Sequence, residues 1–162
     1  MKTYVLTLSS VFPSTHPRAG EPTEFKERLR KTKLHTIRAN YGFWESRFRH
    51  IEAGEACLSI RQWTGKPYYS KQVEIARLTK DDGIGLQRLD FYKDEPGRIA
   101  VGFGISDPDR GPEAWEHVAY PTECNLANND GLSLKDWKDW FKGYDKSKPM
   151  AIIHFTPFRY KR

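Results

Sequence analysis

The segment Lys33-Leu34-His35-Thr36-Ile37-Arg38 packs three potential cations and a hydroxyl into six residues. Far along the chain, Asn128-Asn129-Asp130-Gly131 supplies two amides and a carboxylate. If folding brings these stretches together, one pocket holds an amine, a hydroxyl, a guanidinium and a carboxylate. Such a set can grip a polar heterocycle, and it contains the groups needed to hydrolyse a bond on one.

Outward from this segment, the flanking patterns define short elements. Thr23 is placed to cap a helix running to about Arg30, with Phe25 and Leu29 on one face. The hexad itself falls in a loop or extended segment ending at Asn40. Trp44, Phe48 and Ile51 follow at helical spacing before Gly54. Residues 3–8, 56–61 and 71–78 have strand character, and Trp63-Thr64-Gly65-Lys66-Pro67-Tyr68-Tyr69 carries the turn chemistry of a long hairpin. A further strand pair is expected over 86–92 and 98–103, joined through Pro96-Gly97, with a loop over 105–113. Ser133 and Asp136 resemble a capping box opening a helix whose Leu134, Trp137 and Phe141 share a face, stopping at Gly143. Met150 to Phe155 is a continuous apolar strand. Short strands interrupted by two or three short helices predict an α+β fold, with a small β-barrel flanked by helices as the leading architecture.

Composition bounds the possibilities. A chain of 162 residues is most simply one domain, spanning residues 1–162. Mean hydropathy is only −0.75, yet aromatics reach 14%, enough for a packed core and against disorder. A net charge of +6 favours polyanionic partners without identifying one. Cys57 and Cys124 form no CxxC pair, and the five histidines show neither HxH nor HExxH spacing, so no metal or other cofactor is expected. The run Tyr4–Leu8 is too short for a signal sequence, and no apolar stretch approaches a membrane span. A cytoplasmic protein without membrane contact is the simplest expectation.

In this order of elements, the chain resembles the ASCH domain, a branch of the PUA-like fold. The residues that carry the likeness are Lys33, Thr36 and Arg38, in a Lys-x-x-Thr-x-Arg arrangement after the first helix. The Gly54-Glu55-Ala56 lead-in to a strand, the Asp130–Leu134 helix start and the Ile152–Phe155 strand add to it. The resemblance implies a PUA-like β-barrel with a cleft beside residues 33–38, and recognition of RNA or of a modified nucleotide or nucleoside. One bacterial branch removes the acetyl group from acetylcytidine with a lysine, a threonine and a carboxylate, which would fall on Lys33, Thr36 and Asp130. That branch has Glu where this chain has Asp130, one methylene shorter. The chain also carries inserts around 63–70 and 94–121. Both departures bear on the activity more than on the fold.

Each candidate has a plainer alternative. Lys33 and Thr36 are a base and nucleophile if burial depresses the amine, or else a solvated cation and a loop hydroxyl. Arg38 suits a phosphate or base edge, or an ion pair. Asp130 is an acid or base, or simply turn chemistry before a helix, and Asn129 is a base contact or a turn residue. His35, on the opposite side of an extended segment from Thr36, is expected to be structural. Arg61, Trp63, Lys66 and Tyr68 are a nucleic-acid surface, or the outer face of a hairpin covering its own core. Three functions follow: binding of RNA or a nucleotide, amide hydrolysis on an acylated cytidine-type amine, and a regulatory protein-interaction module using the inserts around Trp63 and Trp115.

Overall fold

The computed structural model describes residues 1–92, 95, 97–103 and 117–161. Its described residues form two sheets and a few short helices, an α+β arrangement. Strand β1 (Lys2–Thr7) pairs in parallel with β3 (Ala56–Trp63), which pairs antiparallel with β4 (Gln72–Leu78). The second sheet runs β2 (His35–Arg38), β8 (Met150–His154), β5 (Gly85–Phe91), β6 (Ile99–Phe103) and β7 (His117–Ala119). All described pairings in this sheet are antiparallel. No backbone ladder joins the two sheets among the described residues.

Burial follows the sequence pattern. Every residue of β8 is buried, as expected of an apolar strand between β2 and β5. Helix α2 (Tyr41–Glu52) starts where Asn40, in the left-handed region at φ 64°, accepts a hydrogen bond from the Phe43 amide. Its Tyr41, Trp44, Phe48 and Ile51 lie three or four apart and form the buried stripe that packs on β3, β5 and β8. Among the described residues, no helix is long and apolar enough to cross a membrane.

Several local expectations need correction. The first helix is one turn, α1 (Phe25–Arg28). The amides of Lys31, Thr32 and Lys33 all converge on the Arg28 carbonyl, and Arg30 takes φ 63°, so the chain reverses instead of continuing. Of the two alternatives for the hexad, the extended one holds, because His35–Arg38 finds β8 as its partner. Helix α3 (Glu123–Asn129) was not expected, so Asn128 and Asn129 are helical and Asp130 is the residue that ends the helix. Helix α4 (Leu134–Phe141) buries Trp137 and Phe141 but leaves Leu134 36% exposed, in the first turn where little packs over it. Ser133 caps α4 by accepting from the Asp136 amide, whereas the Asp136 carboxylate pairs with Arg18 instead of closing the box. Pro96, the loop over 105–113 and Trp115 lie outside the described residues.

Candidate functional site

The turn after α1 and the end of α3 are stitched together through their backbones. Lys33 and Asp130 form an isolated antiparallel bridge, and the Leu34 amide donates to the Asn129 carbonyl at 2.7 Å. The Phe155 amide donates to the Leu34 carbonyl, tying this junction to the end of β8. Gly131 makes the approach possible. Its φ is +75°, and a Cβ there would come within 3.0 Å of the Lys33 Cβ.

Side chains complete the junction. Lys33 Nζ donates to the Asp130 carbonyl at 2.8 Å and to Asp130 Oδ1 at 3.2 Å. It also lies 3.9 Å from the centre of the Phe25 ring, a cation–π contact. Asp130 Oδ2 accepts from Trp137 Nε1 at 3.1 Å. His35 Nδ1 stands 3.3 Å from Asp130 Oδ1. Lys33 and Asp130 are only 1% and 2% exposed. Burial pushes the Lys33 amine below its usual range, with Asp130 resisting that shift. Burial alone would raise the Asp130 carboxyl, but neighbouring Lys33 and His35 more than offset it and hold Asp130 below its ordinary value.

Behind Asp130 lies a second polar layer. His35 Nε2 and Tyr160 Oη are 2.7 Å apart, and Asn129 Nδ2 donates to the same phenol oxygen at 3.1 Å. With a carboxylate before Nδ1, the proton belongs on that nitrogen, and Nε2 accepts from Tyr160. Tyr160 is held in turn by Gln87, whose Oε1 accepts the Tyr160 amide and whose Nε2 donates to the Tyr160 carbonyl. Burial raises the Tyr160 pKa, keeping the phenol a neutral donor.

In front of the pair lies a cleft of about 220 Å³, into which Lys33, Thr36, Arg38 and Asp130 all face, walled by Phe25, Trp140, Phe141 and Tyr144. Thr36 and Arg38 come from β2, two residues apart and therefore on one side of the strand. Among the described residues, the Thr36 hydroxyl has no hydrogen-bond partner and Arg38 has no carboxylate partner. One Arg38 N–H is used, from Nη2 to the Thr7 carbonyl at 2.6 Å. Burial lowers the Arg38 pKa, though a guanidinium starting so high stays charged. The cleft thus contains two cations and one anion.

The fold brings together Lys33, Thr36, Asp130 and Arg38. Asn129 is absent from the cleft lining and directs its amide to Tyr160. Arg61, Trp63, Lys66 and Tyr68 belong to the β3–β4 hairpin and do not line the cleft either. His35 is fully buried, with its Nε2 against the Tyr160 hydroxyl. The sequence reading missed Trp137 as a donor to Asp130, and it missed Tyr160 and Gln87 altogether. Trp137 stands seven residues beyond Asp130 on the next helix, a spacing that could have suggested the contact, whereas nothing local points to Tyr160. No family model matches the chain, and no curated protein or solved structure matches it.

Proposed function

We propose that this protein binds a nucleoside or nucleotide unit in the cleft beside Lys33–Arg38, and that the chain is a divergent relative of the ASCH domain. One observation carries the binding reading. Thr36 and Arg38 have hydrogen-bonding capacity to spare, while Lys33 and Asp130 spend theirs on each other, on Trp137 and on the Asp130 backbone. A planar guanidinium and a hydroxyl on one strand, between aromatic walls, suit the polar edge of a base or a phosphate. At about 220 Å³ the cleft is below the range of drug-sized pockets, so it takes one base or one phosphate at a time. The ASCH relation draws support from the Lys-x-x-Thr-x-Arg segment standing beside Asp130. It also draws on the Arg38–Thr7 bond, which ties β2, at the edge of one sheet, to β1, at the edge of the other.

Calorimetric titration with cytidine, uridine, adenosine and their monophosphates tests the reading. Saturable binding that is weakened in Thr36→Val supports it, and no binding by any of the six at low salt overturns it.

A second reading is hydrolysis of an acylated cytidine-type amine, favoured by a buried Lys33 amine with a lowered pKa in the same cleft as a free hydroxyl. Water, activated through Thr36 and Lys33, would add to the acyl carbon. The C–N bond would then break as Lys33 passes the proton taken from that water to the leaving amine, with Asp130 assisting, giving a carboxylic acid and the nucleoside amine. To act as a base Lys33 must first lose a proton, and its ion pair with Asp130 resists that loss, which is why binding is preferred. Incubation with acetylcytidine followed by chromatography separates the two readings.

A further inference from the structure

The β3–β4 hairpin is a second surface of distinct chemistry. From Arg61 to Val73 the chain contains Arg61, Lys66 and Lys71 and no Asp or Glu. Its tip exposes Tyr68 and Tyr69 at 86% and 82%. The Trp63 and Tyr68 ring centres are 5.2 Å apart, and Lys66 Nζ lies 4.8 Å from the Tyr69 ring centre. This display is braced from within. The Thr64 amide and hydroxyl both donate to the Lys71 carbonyl, while Ser70 Oγ accepts from the Gly65 amide and donates to the Lys66 carbonyl. Tyr68 itself holds φ 67°, a costly conformation for a bulky residue.

The hairpin is continuous with the cleft through one residue. Thr7 accepts Arg38 Nη2 on its carbonyl and Gln72 Nε2 on its hydroxyl. Thr7 lies opposite Arg61, and Gln72 lies opposite Trp63, so these four side chains share one face of the three-stranded sheet. The Leu8 amide donates to the Arg61 carbonyl, and Ser9, next in the chain, lines the cleft.

We infer that the hairpin is a stacking platform for a single-stranded nucleic acid, one of whose nucleotides places its base or its phosphate in the cleft while its neighbours lie over Trp63, Tyr68 and Tyr69. Exposed ring faces stack unpaired bases, and Lys66 and Lys71 follow the phosphates, while Arg61 faces Glu74 across the ladder. A duplex offers no such faces. The inference rests on the cleft reading for the first nucleotide and extends the ligand from a free nucleoside to a strand.

Fluorescence anisotropy with labelled RNA and DNA oligonucleotides of one, two, four and six residues, at low and moderate salt, tests this. Affinity should climb with length and fall with salt. The double substitution Tyr68→Ala/Tyr69→Ala, at positions too exposed to unsettle the core, should weaken the hexamer at least tenfold and leave the mononucleotide unchanged. Thr36→Val should weaken both. Comparison of the RNA and DNA arms shows whether the ribose hydroxyl is read. Mononucleotide binding with no gain on lengthening overturns the platform and leaves the cleft standing. Oligonucleotide binding that needs the tyrosines but ignores Thr36→Val keeps the platform and overturns the cleft. Absence of binding by every probe overturns both, as does capture of a protein by the tyrosine face with no affinity for nucleic acid.

Discussion

Lys33 Nζ grips both the carbonyl and the carboxylate of Asp130, at 2.8 and 3.2 Å, with both residues buried. The pair therefore joins α3 to the segment that leads into β2, and so places Thr36 and Arg38. Removing one charge leaves the other buried without compensation. Asp130→Asn should cost about 3 kcal/mol or more, the scale for breaking a buried pair. Urea denaturation measures it. The double variant Lys33→Met/Asp130→Asn should lose less than the sum of the two single changes, because it removes the orphaned ammonium too.

Gly131→Ala tests the same junction without altering charge. At φ +75° an alanine is strained, and its Cβ would press on the Lys33 Cβ at 3.0 Å. Backbone strain of this kind costs on the order of 1–3 kcal/mol. The substitution should lower the urea midpoint and weaken ligand binding together, since Lys33 must shift. Unchanged binding in a destabilised variant would uncouple the junction from the cleft.

Acid should destabilise the fold well before carboxylates titrate. Burial, with help from nearby His35 and Arg159, holds His154 well below its ordinary value of 6.5. The unfolded chain therefore binds a proton that the folded chain refuses. The His154 contribution is full above about pH 6.5 and is lost as the pH falls toward the folded value, at about 1.4 kcal/mol per pH unit. Asp130, also lowered, acts with the same sign in a more acidic window, below its ordinary 3.8. Urea midpoints measured from about pH 7.5 down to 5 should fall, and His154→Gln should flatten the slope by about one proton.

What could be read from the sequence was local. The α2 stripe from Trp44 to Ile51, the β8 run and the Ser133 cap all follow from spacing and side-chain chemistry within a dozen residues. The Thr122–Asn125 capping box that opens α3 is equally local, but Asn there replaces the usual Glu or Gln, and only the Asn128–Gly131 end of this region carries a strong local signal, that of a turn. The meeting of Lys33 with Asp130 was anticipated only through the family likeness. It depends on long-range stitching by Leu34, Asn129 and Phe155, which no short-range pattern encodes. Gln87 and Tyr160, which brace the polar layer behind Asp130, are fixed by tertiary packing alone.

Thr36→Val separates ligand recognition from stability most cleanly. Valine matches threonine in shape and β-propensity, and it removes a hydroxyl that bonds to nothing in the described fold. Thr36 is buried, so removing a hydroxyl without a partner should leave stability unchanged or slightly raised. A ligand that uses the hydroxyl loses one neutral hydrogen bond, about 0.5–1.5 kcal/mol, or roughly a two- to tenfold loss of affinity. Calorimetry with a nucleoside monophosphate on both proteins reads this, alongside matched urea curves. In a hydrolase the same change would also stop turnover of acetylcytidine, so affinity and activity measured on one variant weigh binding against catalysis. An unaltered affinity in a fully stable Thr36→Val protein would overturn the cleft as the ligand site.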